Sequence, residues 1–218
     1  MSDRMIRDPS RPGAGAALSL HVRPSILPRF FPLCQQGFLV KVPGSGSIRT
    51  ILCRHLSLAP DYLEGRIRTI FLNGKPVDEI DTAIVGPGDT LALSAAMPGL
   101  VGALMRRGGY LAGLRSNISH RDRHQAVQGG ECLVKLKLFN LLTEELGPFF
   151  LEKGIWIAGA VLEKFLRSQP EDFWAGVGAA YLNSEELNSR ALRALAWPNS
   201  EDLVCLRVKI GKTTGSEQ

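Results

Sequence analysis

Four small residues between a predicted strand and a predicted helix have the composition of an anion-binding loop. They are Gly44, Ser45, Gly46 and Ser47, in the stretch VPGSGSIRT. Backbone N–H groups of such a loop, with the positive end of the helix dipole, can hold a phosphate. No Gly-Lys-Ser/Thr follows, so the P-loop pattern is absent. The alternative is a turn in which Ser47 caps the helix.

A second group of candidate contacts lies in a basic run. The stretch RRGGYLAGLRSNISHRDRH, residues 106–124, contains five arginines, two histidines and one tyrosine. Arginines bind nucleic-acid phosphates and a tyrosine stacks on a base, although a solvated connector is the alternative interpretation. Trp197, which precedes a proline in a predicted loop, is a further candidate contact. The candidates for contact with a partner or a nucleic acid are Arg106, Arg107, Tyr110, Arg115, Arg121, Arg123 and Trp197.

The other reactive side chains form no catalytic or metal-binding pattern. No two cysteines are closer than the 19 residues that separate Cys34 from Cys53, so zinc and iron–sulfur spacings are absent. His120 and His124 lie four residues apart, but the neighbouring arginines disfavour a cation. No Ser-His-Asp, Cys-His or paired-carboxylate arrangement is justified by spacing. We therefore predict no enzyme, no metal and no cofactor.

Composition and charge bound the protein class. A chain of 218 residues that is 44% hydrophobic can form one or two domains. It has no apolar run long enough for a membrane span and no apolar signal-peptide region near its N-terminus, and dispersed free cysteines suit the cytoplasm. Residues 1–130 carry 16 basic and nine acidic side chains, whereas the remainder carries ten and 12. This asymmetry is a weak indication of an anionic partner for the first half.

The two halves repeat one pattern. The stretch IFLNGKPVDEIDTAIVGPGDTLALS, residues 70–94, matches AYLNSEELNSRALRALAWPNSEDLVCLRV, residues 180–208, with Asn73 and Asn183 in register. Upstream, each half has a strand (38–42 or 155–158) followed by a helix with apolar residues at i, i+3 and i+4. These are Ile48, Ile51 and Leu52 in the first helix and Leu162, Phe165 and Leu166 in the second. Earlier still, LSLHVRPSI and CLVKLKLFN each supply a first strand with alternating apolar residues.

This order predicts an α+β fold of two tandem units. Each unit reads strand, strand, helix, strand, short connection, strand, with the first two strands forming a hairpin. A hairpin buries only one face and needs a helix laid across it, and the returning chain adds strands to complete a mixed sheet. One main helix held by such a sheet is the β-grasp, or ubiquitin-like, arrangement.

Particular residues resemble a known family. FLNGKPV followed by VGPGDTLALS resembles the end of the ubiquitin-like sulfur carriers, namely the thiamine sulfur carrier and the small subunit of molybdopterin synthase. VKLKLFNLLTEELG, residues 134–147, resembles the start of the latter. The TGS domain of some RNA- and nucleotide-associated proteins has a similar ending. The resemblance implies a β-grasp fold and, for a carrier, a free Gly-Gly terminus.

The Gly-Gly pair of this chain departs from the carrier pattern. The last strand of the first unit is followed by Met97-Pro98-Gly99, and Gly108-Gly109 comes later with more chain after it. A carrier needs a free terminal carboxylate to reach an adenylating enzyme. We interpret Gly108-Gly109 as a turn. The alternative is a processed carrier tail.

The sequence therefore predicts a division into five segments. They are a disordered tail (1–17), a first β-grasp-like unit with an apolar extension (18–115), a polar basic linker (116–130), a second unit (131–211) and a tail (212–218). We expect a non-catalytic binding or adaptor protein in the cytoplasm with another protein as its partner. The alternatives are a sulfur carrier or accessory processed at Gly108-Gly109 and an RNA-associated module using the basic first half.

Overall fold

The chain is a mixed α+β protein that divides into two compact units. A computed structural model describes residues 15–115, 130–197, 199 and 201–211. One unit, here the continuous unit, is Phe31–Gly147, and the other, here the split unit, combines Met1–Phe30 with Pro148–Gln218. Within the described ranges, no helix has the length and apolar character to cross a membrane.

The strands are β1 (Ala17–Val22), β2 (Phe38–Pro43), β3 (Gly46–Ser47), β4 (Thr69–Leu72), β5 (Lys75–Pro76), β6 (Ile84–Val85), β7 (Thr90–Ser94), β8 (Glu131–Phe139), β9 (Ile155–Ala158), β10 (Val177–Leu182), β11 (Glu185–Leu187) and β12 (Leu203–Ile210). The helices are α1 (Phe31–Gln36), α2 (Pro60–Gly65), α3 (Gly99–Met105), α4 (Leu141–Lys153), α5 (Gly159–Arg167), α6 (Glu171–Ala175) and α7 (Ser189–Arg193), with 3-10 turns at Pro24–Phe30 and Ala112–Arg115 and a π-helical segment at Thr50–His55.

The continuous unit contains a mixed sheet in the order β2-β8-β7-β4-β5. Its central strands β7 and β8 run parallel, and the other neighbours are antiparallel. In β8 every second residue is buried, from Cys132 to Leu138, as the alternating sequence predicts. Ile48, Ile51 and Leu52 of the helical segment after β3 are fully buried, which confirms the predicted apolar stripe.

The split unit has the same alternation of strand directions. Its order is β11-β10-β1-β12-β9, with β1 and β12 parallel and the other neighbours antiparallel. Leu162 and Leu166 of α5 are buried, with Phe165 packed against Phe30 and Phe173 in an aromatic cluster. The second predicted stripe is therefore confirmed as well.

Strand pairing differs from the predicted tandem order. The first strand of the first half, β1, lies in the split unit and pairs with β10 and β12. The first strand of the second half, β8, lies in the continuous unit and pairs with β2 and β7. The expected hairpins of β1 with β2 and of β8 with β9 are therefore wrong. The physical reason is the connection: helical segments, not tight turns, follow β1 and β8, so nothing forces pairing with the next strand.

The unit boundaries move accordingly. They fall between residues 30 and 31 and between residues 147 and 148, not within the predicted linker 116–130. Most of that linker, residues 116–129, lies outside the described residues, as do 1–14 and 212–218. Each compact unit thus contains a first strand from the opposite half of the sequence.

Asn73 and Asn183 show how closely the two units correspond. Both have a positive φ, 50° and 51°, in the turn after an inner strand. The Asn73 N–H donates to the Thr90 carbonyl while its Oδ1 accepts from the Thr90 N–H at 2.9 Å. Asn183 makes the same two bonds with Ala17, at 2.8 and 2.9 Å. The residue bound begins β7 in one unit and β1 in the other, so these two strands hold equivalent places.

Candidate functional site

The segment after β7 forms a docked extension of the continuous unit, residues 95–115. Its helix α3 is inverted relative to an ordinary surface helix, because the buried residue is Gly102 whereas Leu100 and Val101 are exposed. Amphipathic helices normally turn their large apolar residues to the core. Here a side chain at Gly102 is excluded by packing, since an added Cβ would lie 1.9 Å from the Met97 carbonyl oxygen.

Backbone and side-chain bonds fix the extension in place. The Arg107 N–H donates to the Arg68 carbonyl at 2.8 Å, and its guanidinium donates to Glu64 Oε2 at 2.9 Å. The Gly108 N–H donates to Asp78 Oδ1 at 3.2 Å. Through these contacts the extension packs on its own unit.

Arg115 is the buried anchor at the end of the extension. Its side chain is fully buried, with Nε donating to the Leu104 carbonyl and Nη2 donating to Asp78 Oδ1, both at 2.7 Å. A buried guanidinium is tolerated only when its donors are satisfied. Arg115 therefore joins α3, the 3-10 turn and the Asp78 loop into one substructure.

A network of charges supports the same region. Arg49 donates to Asp81 Oδ1 and to Glu64 Oε1, both at 2.5 Å. Glu64 also accepts a hydrogen bond from the Arg107 guanidinium. The hydrogen bond from Arg49 is the main cause that lowers the pKa of Glu64, and it likewise lowers the pKa of Asp81. Part of the positive charge of the first half is thus neutralised internally.

The extension carries four exposed large apolar side chains, Leu100, Val101, Tyr110 and Leu114, which are named here the apolar patch. Their exposed fractions are 77%, 61%, 101% and 79%, the four largest among the exposed large apolar residues that the structure describes. Helix α3 and the 3-10 turn that ends at Arg115 pack against each other, which places patch residues on neighbouring elements. Concentrated exposure of this kind marks an interaction surface more often than scattered single residues do.

The candidate nucleic-acid contacts fall into three groups: residues that bind within the protein, exposed residues, and residues outside the described ranges. Arg107 and Arg115 bind carboxylates and carbonyl groups of the continuous unit. Arg106 and Tyr110 are exposed. Arg121 and Arg123 lie outside the described residues.

Gly108 and Gly109 lie in a turn. Gly108 has a φ of 59°, and the Gly109 N–H donates to the Arg106 carbonyl at 3.2 Å. This geometry agrees with the interpretation as a turn and differs from the free tail of a carrier.

Several backbone donors of the glycine loop and of the helix start are already engaged within the protein. Gly44 donates its N–H to Val42, and at the helix start Ile48 and Arg49 donate theirs to the carbonyls of Ala83 and Ile80. Gly46 and Ser47 form β3, paired with β6, and Ser45 is a half-buried residue beside them. The Ser47 hydroxyl accepts from the Thr50 N–H at 3.2 Å, which is the capping alternative. The geometry therefore favours the cap over phosphate binding at Gly44, Ser45, Gly46 and Ser47.

Trp197 is buried, so its prediction as an exposed contact is wrong. It retains 6% exposure and packs on Gly159, where an added Cβ would lie 2.7 Å from Trp197 Cβ. The absence of a side chain at Gly159 makes room for the indole in the core. Sequence reasoning missed this because a tryptophan before proline in a loop gives no sign of its depth.

Three of the four cysteines have raised thiol pKa values. Burial raises the pKa of the Cys34 thiol to about 12, and burial is also the main cause that raises the pKa of Cys53 and of Cys132. A raised pKa removes the thiolate that nucleophilic and metal chemistry needs. In the described ranges no cluster of three or more His, Cys, Asp or Glu side chains is placed to hold a metal.

Comparison of the chain with protein-family models, curated proteins and solved structures finds no significant match.

Proposed function

We propose that the protein is a binding module that docks another protein on the apolar patch of the extension. The observation that carries the proposal is the inverted helix α3, which exposes Leu100 and Val101 while burying Gly102. Each exposed leucine leaves about 1.5–3 kcal/mol of burial free energy unused. The anchors at Arg107 and Arg115 hold the patch in this orientation.

We also propose that both units are variants of the β-grasp. Each contributes five strands of mixed direction with a parallel central pair, β7 with β8 or β1 with β12, and a helical segment comes soon after β2 or β9. The equivalent bonds of Asn73 and Asn183 support descent of the units from one duplicated pattern. Proteins of this fold commonly offer a sheet or an attached surface to a partner, which agrees with a role in binding.

The side chains of the patch indicate what kind of partner surface would match it. The same extension carries the exposed Arg106, and Tyr110 is fully exposed, with its phenol available for a hydrogen bond. Interfaces of this type combine an aromatic anchor with a charged rim. The matching partner surface is apolar and bears carboxylates near its edge.

Site-specific photo-crosslinking in the native host tests this proposal. The full-length chain carries a benzoylphenylalanine in place of Tyr110 or, as a matched control in the split unit, in place of Val161, which is 39% exposed. We expect discrete protein adducts from position 110 and none from position 161. Adding Leu100→Ser and Leu114→Ser should reduce the adduct yield about tenfold or more, because each change removes burial free energy from the interface.

The substitutions affect exposed side chains, so the free energy of unfolding should change by less than about 0.5 kcal/mol. Equal adduct yields from positions 110 and 161, or yields unchanged by the two serine substitutions, would reject the patch as the docking surface. Reproducible turnover of a substrate by the purified chain would reject a purely binding role.

A further inference from the structure

A small cavity lies between helix α3 and the beginning of strand β4. Its volume is about 160 Å³. It is lined by Arg68, Thr69, Ala96, Met97, Gly99, Gly102, Ala103 and Arg106. A water molecule takes up about 30 Å³ in the liquid, so the cavity has room for a small ligand or one functional group of a larger ligand.

Two arginines, Arg68 and Arg106, are the charged residues among those that line the cavity. The Arg106 side chain has no hydrogen bond or ion pair within the part of the chain that the structure describes, in contrast to its neighbour Arg107. Arg68 makes one long side-chain bond, 3.4 Å from Nη1 to the Glu64 carbonyl. The carboxylates of Glu64 and Asp78 are bound to Arg49, Arg107 and Arg115. No acidic residue is among those that line the cavity.

A third polar group lacks a partner at the same place. Thr69 is 1% exposed, and its hydroxyl is among the few buried side-chain polar atoms of the described residues that have no hydrogen-bond partner. A buried hydroxyl without a partner costs about as much as a lost hydrogen bond. Thr69 belongs to strand β4 and lines the cavity together with Arg68 and Arg106.

We propose that this cavity is a binding site for a small oxyanion, a carboxylate or a phosphate. Guanidinium groups bind both through paired N–H donors, and charge-assisted bonds of this kind are stronger than neutral ones. The Thr69 hydroxyl supplies one further donor. Gly102 lines the cavity, and the backbone of Met97 packs so closely on it that no side chain fits there.

Titration of the full-length protein at constant ionic strength tests the site. Amide NMR spectra are recorded with inorganic phosphate and, separately, with acetate, each against chloride. We expect saturable shifts at Thr69, Gly102 and Arg106, and the tighter of the two anions identifies the preferred chemistry. Arg106→Gln should raise the dissociation constant about tenfold or more, since it removes a charged donor.

Two further variants separate binding from folding. Thr69→Val keeps the shape of the side chain, so it should weaken anion binding while raising the Tm of the anion-free protein, because an unsatisfied hydroxyl is removed. Arg54→Gln, at an exposed arginine that does not line the cavity, is the matched control and should bind as the parent does. Shifts that do not saturate, shifts reproduced by chloride, or equal effects of Arg106→Gln and Arg54→Gln would overturn the proposal.

Discussion

At the scale of single residues, Asn73 and Asn183 are the clearest link between sequence and structure. Each accepts the N–H of the first residue of a central strand, Thr90 or Ala17, from a backbone with positive φ. Asparagine suits this position because it tolerates the left-handed region and offers an acceptor. Their alignment in sequence therefore reflects a shared hydrogen-bonding role.

This role predicts different costs for two substitutions. Asn73→Gly keeps the positive φ but loses the side-chain bonds to Thr90 and Asp89, so we expect a loss of about 1 kcal/mol in the free energy of unfolding. Asn73→Ala loses the same bonds and also places an alanine in the left-handed backbone region, which is strained. We expect its total loss in the free energy of unfolding to be about 2–3 kcal/mol. Urea denaturation measures both. Equal losses for glycine and alanine would show that backbone strain has no part in the preference for asparagine.

At the scale of elements, the packing of α3 depends on one glycine. Gly102→Ala places a Cβ against the Met97 backbone and should displace the helix, at a cost of about 1–3 kcal/mol. Gly113→Ala is the matched control, because nothing lies within 4 Å of its added Cβ. Hydrogen exchange measured by peptide should rise over residues 95–115 for Gly102→Ala alone. Unchanged exchange in that variant would contradict the docked arrangement of the extension.

The buried faces of strands and of two helical segments were predictable from local patterns, whereas the helices between β1 and β2 and between β8 and β9, and the strand partners, were not. Alternation in β1 and β8, and the apolar stripe that includes Ile51 and Leu162, state which face of each element is buried. They do not state which strand lies alongside. Because β1 and β8 share the same alternation, either fits a central position of either sheet, and the pairing is decided by connections and side-chain fit.

The candidate site was predictable only in part, for the same reason. The extension was recognised as apolar, and Arg106 and Tyr110 are exposed. The burial of Arg115 depends on Asp78, which is 37 residues earlier in the chain. Such a long-range pair leaves no local signal in the sequence.

At the scale of the whole molecule, the fold exchanges the first strands of the two halves. β1 completes the split unit with β9–β12, and β8 completes the continuous unit with β2–β7. Neither half of the sequence contains all the strands of one sheet. The halves should therefore depend on each other for folding, in contrast to two tandem domains joined by a linker.

Cleavage of the native chain between its halves tests this exchange most directly. A specific protease site is placed between residues 115 and 130, the folded protein is cut, and the product is examined by native mass spectrometry and size exclusion. We predict that the two fragments remain together as a single species with the mass of the intact chain plus one water, and that they separate only in denaturant. Two folded fragments that separate under native conditions would contradict the exchange of β1 and β8 and would restore the tandem arrangement.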